Sequence, residues 1–214
     1  MNNQTNNILS RYMDKYDFVK DIKNQIVAVF EVLNECYKNG SKLLVCGNGG
    51  SNSDADHIVG ELLKGFTKKR PLSDEEKKKY EIFGEVGVNL ANKLQGSLPA
   101  INLGAQTSLI TAVINDIGGE EIFAQQVIGY GNVGDVVLGI STSGNSKNVI
   151  EACMVAKVKG LKTVVLTGKT GGKLGEICDY VIKVPSIITC DIQDMHTTIY
   201  HILCAMVETE IWDI

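Results

Sequence analysis

His57 and Glu61 stand four residues apart in a segment of helical period, so an imidazole and a carboxylate share one helix face. Such a pair could hold a metal ion or pass a proton. It could equally be an ordinary exposed face, with Ile58, Val59, Leu62 and Phe66 turned to the core. The C-terminal segment supplies a second set. Met195, Ile199, Ile202, Leu203 and Met206 fall on one apolar stripe at about 100° per residue. His201 points nearly opposite that stripe, and Gln193 lies roughly 80° from His201. A polar histidine on the far side of a half-buried helix marks a cleft or a subunit interface. His196, the third histidine, sits at the stripe's edge and reads as packing. Together His57, Glu61, Gln193 and His201 offer two imidazoles, a carboxylate and an amide oxygen. That donor set suits Zn²⁺ or another transition metal, and the same groups could act as general base and acid.

Two loops could hold the molecule on which such groups act. Gly47-Asn48-Gly49-Gly50-Ser51 opens directly into a helix, where glycines let backbone N–H groups approach a ligand and the helix start favours an anion. It is neither G-x-G-x-x-G nor a P-loop, and a tight turn without a ligand fits it as well. Ser141-Thr142-Ser143-Gly144-Asn145-Ser146 also runs into a helix. Its four hydroxyls exceed the single one that a helix cap needs and form a neutral nest suited to a phosphate monoester. Asn115-Asp116 is a third polar pair, able to reach a sugar hydroxyl or to cap a turn.

The elements that must position these residues alternate. Residues 1–40 read as a helical region, with Val19, Ile22, Ile26, Val29, Phe30 and Leu33 at helical spacing. Five short apolar runs follow at 42–46, 100–103, 136–140, 163–167 and 180–184. Helical periods lie between them at 51–66, 106–114, 120–128, 146–159 and 172–177, and a long last helix spans 191–212. Strands apolar on both faces and alternating with helices predict an α/β three-layer sandwich, a five-stranded parallel sheet flanked by helices. Ligands then bind beyond the carboxyl ends of the strands, where the loops after Cys46 and Ile140 lie. Residues 67–97 stand apart as a charged helical insertion within the single domain 1–214. Ser73 and Glu76 form a capping box there, and the segment reads as a solvated excursion.

Composition narrows the function classes. The chain has 214 residues, 44% hydrophobic, with a net charge of -4, which excludes disorder and gives no electrostatic attraction to nucleic acid or anionic membrane. No apolar run is long enough to span a bilayer, and the first residues lack the basic and apolar regions of a signal peptide. The six cysteines are scattered and never in a C-x-x-C pair, so they read as reduced thiols of a cytoplasmic protein.

The run Gly134-Asp135 through Ser146 resembles the sugar-isomerase (SIS) domain, a flavodoxin-like fold. Cys46-Gly47-Asn48-Gly49-Gly50-Ser51 with His57 and Glu61, then Asn115-Asp116, then Gln193 and His201, resembles the phosphoheptose isomerases within it. The similarity spans nearly the whole chain outside 67–97. It implies an aldose–ketose isomerase that converts sedoheptulose 7-phosphate into D-glycero-D-manno-heptose 7-phosphate through an enediol. The product would feed nucleotide-activated heptose for a surface glycan, lipopolysaccharide or capsule. It implies a homotetramer with active sites between subunits and one Zn²⁺ per subunit. By the same resemblance, Ser141, Thr142, Ser143 and Ser146 hold the phosphate with Ser51, while Asn48, Gly49, Gly50, Asn115 and Asp116 contact the sugar. His57, Glu61, Gln193 and His201 would ligate the metal and meet the substrate, with Glu61 and His201 as base and acid.

The chain departs from the family pattern at three places. About thirty residues intervene where the family has a short Arg-Pro segment; the family's Glu-Leu-Thr-Gly-Arg reads Glu61-Leu62-Leu63-Lys64-Gly65; and Cys190 replaces the aspartate three residues before the glutamine. These changes bear on substrate recognition more than on the proton-transfer pair. Two other functions share the fold: isomerisation of another ketose phosphate, and non-catalytic binding of the replication-initiator-associating type. Those binders lack the equivalents of Glu61 and His201, both of which are present here. A sugar sensor of this fold is usually fused to a DNA-binding domain, and no basic helix-turn-helix segment is visible.

Overall fold

Five strands, β1 Leu43–Gly47, β2 Ala100–Asn102, β3 Val136–Ser141, β4 Lys162–Thr167 and β5 Tyr180–Lys183, pair in parallel in the order β2-β1-β3-β4-β5. They belong to a computed structural model that describes residues 1–212. Alternation along each strand feeds two cores. Leu43, Val45, Val136, Leu138, Val164 and Leu166 pack with the helices of one layer, and Leu44, Cys46, Val137 and Val165 with those of the other. Burial on both faces explains why the strands read as unbroken apolar runs. Gly139 is required in β3, because a Cβ there would come within 2.7 Å of Val149 on the helix above.

The first layer holds α1 Asn3–Lys15, α2 Asp17–Asp21, α3 Lys23–Lys38, α4 Gly50–Leu63 and α11 Thr189–Ile211. The N-terminal region is three helices rather than one, broken at the extended Tyr16 and at Ile22. The breaks let α1 lie on α11 while α3 packs against both α11 and β5. Two helices on the opposite face are α8 Ala124–Tyr130 and α9 Lys147–Val158; α7 Thr107–Asp116 follows β2, and α10 Leu174–Ile177 precedes β5. Because β1 pairs with both β2 and β3, the chain leaves β1 in one direction and returns on its other side. The crevice at that switch lies above the carboxyl ends of β1 and β3.

The insertion is a loop with a closed base. Pro71 bridges Gln95, Gly96 N–H donates to the Arg70 carbonyl at 2.6 Å, and Leu98 N–H donates to the Leu62 carbonyl at 2.9 Å. Above that base stand α5 Asp74–Lys78, started by the expected Ser73–Glu76 capping box, a 3₁₀ turn at Glu81–Phe83, and α6 Gly84–Ala91. The excursion is largely exposed, with one correction. Arg70 is fully buried, its Nε donating to Glu208 Oε1 at 2.8 Å and its guanidinium lying 4.7 Å from the Trp212 ring. Its partner Glu208 is equally buried and accepts three backbone N–H bonds, from Phe66, Thr67 and Lys68.

Candidate active site

The two loops of the crevice are built by tight turns. A Cβ at Gly47 would come within 2.8 Å of the Ser51 side chain, so β1 must end in glycine for α4 to double back over it. Gly49 takes φ +55, a left-handed value that favours glycine. Ser51 N–H bonds the Asn48 carbonyl, and Asn52 and Ser53 N–H both bond Gly49, so the first turn of α4 is closed on the loop itself. Asn48, Gly49 and Gly50 are exposed at its tip, while Ser51 is buried beneath.

The second loop is a nest of hydroxyls. Ser141 Oγ lies 3.0 Å from Ser146 Oγ, and Ser143 Oγ accepts from Asn145 N–H at 3.1 Å. Ser146 is the residue preceding α9, yet its side chain makes no cap bond to the helix. The Ser146 hydroxyl is therefore not consumed by starting α9. Gly144 takes φ +68 and packs on the Gly171 carbonyl, fixing the loop's curvature. A cavity of about 240 Å³ opens beside it, lined by Thr142, Ser143, Asn145, Lys169 and Ser186 among others. Asn115 and Asp116 end α7, both exposed, with Asn115 Nδ2 donating to Asp116 Oδ1 at 2.7 Å.

The acid–base group lies where α4 and α11 run side by side. Glu61 Oε1 is 3.1 Å from His57 Nε2 and 3.3 Å from His201 Nε2. Glu61 Oε2 is buried, and the Cys204 thiol lies against the carboxyl. This corrects the expectation of an exposed His/Glu face: His57 is half exposed, but Glu61 is only 5% exposed, turned inward with Ile58 and Leu62. One donor atom from each of His57, Glu61 and His201 lies within 4.8 Å of the others, a spacing that a single metal ion could bridge. Gln193 sits further up α11, its amide against Gly50 at the head of α4. Here the structure ties Gln193 to the glycine loop, two helical turns from His201.

Electrostatics set these groups apart. Burial raises the Glu61 carboxyl above its usual range, opposed by the charge of His57. Burial, then His57, lowers His201, which keeps its imidazole neutral near pH 7. Tyr200, unremarked in the sequence, holds His57 Nδ1 through its hydroxyl at 3.0 Å and leaves Nε2 toward Glu61. Burial pushes the Tyr200 hydroxyl up to about 12, so it stays protonated. His196 is fully buried, as read from the stripe, and burial pushes it down to about 4. Asn148, in the first turn of α9 beside the nest, bonds the Asn48 side chain of the glycine loop, a contact that nothing local in the sequence signals.

Comparison with known proteins follows the same lines. The SIS domain family matches residues 76–168. A phosphoheptose isomerase of Aneurinibacillus thermoaerophilus is 44% identical over 178 residues, 83% of this chain and 77% of the relative. Among solved structures, a phosphoheptose isomerase from Neisseria gonorrhoeae matches with a TM-score of 0.73 and 31% identity, covering 94% of this chain and 93% of that one. Another from Francisella tularensis matches with a TM-score of 0.75 and 31% identity, covering 96% and 97%.

Proposed function

The chain belongs to the phosphoheptose isomerase family, and from that membership we propose that it interconverts sedoheptulose 7-phosphate and D-glycero-D-manno-heptose 7-phosphate through an enediol. It is an aldose–ketose isomerase. The observation that carries the reading is the Glu61 carboxylate, buried with two imidazoles against its Oε1.

The chemistry follows from those positions. Ser141, Thr142, Ser143 and Ser146, with Ser51, hold the phosphate end; Asn48, Gly49, Gly50, Asn115 and Asp116 meet the sugar hydroxyls. The Glu61 carboxylate takes a proton from C1 of the ketose, leaving the cis-enediol, and returns a proton to C2. A carboxyl raised by burial is a stronger base than a solvated one. The His201 imidazole, neutral near pH 7, moves the hydroxyl proton between O1 and O2. Tyr200 keeps the His57 ring oriented so that Nε2 faces the site. The two imidazoles and the carboxylate fit a Zn²⁺, which His57, Glu61, His201 and Gln193 would hold; bound there, it would supply positive charge for the developing enediolate oxygens.

The enzyme acts in this reading as a cytoplasmic homotetramer of single SIS domains with sites between subunits, supplying heptose for a surface glycan. No helix among the described residues is long and apolar enough to cross a membrane. The decisive experiment is NMR of sedoheptulose 7-phosphate in D₂O with zinc-supplemented protein. The expected result is a new aldose phosphate carrying deuterium at C2. Absence of turnover on this sugar, with turnover on another ketose phosphate, would reassign the substrate. Inactivity on all of them would reassign the protein as a binder.

A further inference from the structure

We propose that Arg70 is the positioning residue for the Glu61 carboxylate, acting through the backbone at the end of α4. The inference rests on the reading of Glu61 as the base. Glu61 lies in the last turn of α4, where carbonyls lack partners within the helix. The helix ends at Lys64 in an extended conformation, without the left-handed glycine that usually collects those carbonyls. Arg70 collects two of them. Its Nη1 donates to the Leu62 carbonyl at 2.6 Å and its Nη2 to the carbonyl of Glu61 itself at 3.0 Å.

The guanidinium is planar, so two contacts to successive carbonyls fix the orientation of that turn. The guanidinium is itself fixed from two further directions, by Glu208 at 2.8 Å and by the Trp212 ring at 4.7 Å. Glu208 in turn gathers the backbone N–H groups of Phe66, Thr67 and Lys68, the segment that leads from α4 to Arg70. Arg70 and Glu208 are both fully buried, so water cannot replace these bonds. Through these backbone bonds Arg70 sets where the carboxylate stands, and displacement of a base by about 1 Å can cost on the order of 100-fold in rate.

The test uses the full zinc-supplemented chain and sedoheptulose 7-phosphate. Arg70→Lys keeps the charge but loses the fork. It should lower kcat by roughly 10- to 100-fold while KM stays within about threefold, because the glycine loop sits at the other end of α4, about 16 Å along the helix, and the serine nest lies before α9. The pH profile of kcat should keep its shape, since no charge near the carboxyl changes. Trp212→Leu, at the edge of the fold, removes the ring behind the guanidinium and should lower kcat several-fold with KM unchanged. It carries the test if Arg70→Lys does not fold, as judged by cooperative thermal unfolding. A folded Arg70→Lys with kcat within twofold of wild type overturns the proposal, as does an unaffected Trp212→Leu where Arg70→Lys is unfolded. Glu61→Gln separates the two ideas. If that variant retains activity, the reading of the base fails; if it is inactive while the Arg70 variant is normal, only the positioning role fails.

Discussion

Asn48 and Asn148, a hundred residues apart in the chain, exchange two side-chain hydrogen bonds of 2.9 Å each. The bond pair ties the glycine loop after β1 to the first turn of α9, just beyond the serine nest. Two loops from opposite sides of the switch in strand order are thereby held as one surface.

Removing that tie should loosen substrate binding without touching the acid–base group. For Asn148→Ala we expect KM for the sugar phosphate to rise roughly tenfold, the equivalent of about 1.4 kcal/mol, with kcat changed less. Steady-state kinetics decide it, and an unaltered KM would show that the loops serve the substrate separately.

Glu61→Gln keeps the shape of the buried side chain and removes its capacity to take a proton. The kcat should fall by about 10²–10⁴-fold, the range for loss of a general base. Affinity for the substrate, measured by calorimetry on the inactive variant, should stay within a few-fold of wild type. Near-normal turnover would place the base elsewhere.

In the nest, Ser143→Ala removes a hydroxyl that accepts from Asn145 N–H and would face the phosphate. A hydrogen bond to a charged group contributes about 1.5–3 kcal/mol, so KM should rise by at least roughly tenfold. Inorganic phosphate should inhibit the variant correspondingly less well. Equal inhibition of both forms would remove Ser143 from the phosphate site.

His196 predicts a pH dependence of stability. Its folded pKa, pushed down by burial to about 4, lies below the unfolded value of 6.5. Between those values the unfolded chain binds the proton that the folded chain refuses, so stability falls as pH drops from 6.5 towards 4. The full loss is about 3 kcal/mol at 1.36 kcal/mol per pKa unit. Urea unfolding midpoints measured across that window should show a shallower slope for His196→Met than for wild type. Parallel slopes would mean that other groups carry the acid sensitivity.

The fold was legible because its signals are local. Strands buried on both faces leave continuous apolar runs such as Leu43-Leu44-Val45-Cys46, and their alternation with helical periods dictates a covered parallel sheet. Within the site, the i,i+4 spacing put His57 and Glu61 on one helix face, and the angular position of His201 pointed it away from the apolar stripe. That the two helices meet is a tertiary fact with no local trace. The same limit explains Arg70. A Lys-Lys-Arg-Pro run at the edge of a charged segment has the pattern of a solvated surface, and only Glu208, more than a hundred residues on, shows that one of its cations is buried. Tyr200 was hidden for a related reason: it is both a core aromatic and the partner of His57, and burial is its commoner role.

The tie between Thr67 and Glu208 spans 141 residues, which gives it a place in time as well as space. A ribosome adding about 5–20 residues per second needs roughly 7–30 s to travel that distance. β1 and α4 are already made when that interval begins and β2 to β5 follow within it, but the carbonyls at the end of α4 have no Arg70–Glu208 clamp and Glu61 has no His201. Catalytic competence is thus acquired only once α11 has been made and docks. A nascent chain in which the sheet has already formed is still silent towards its substrate.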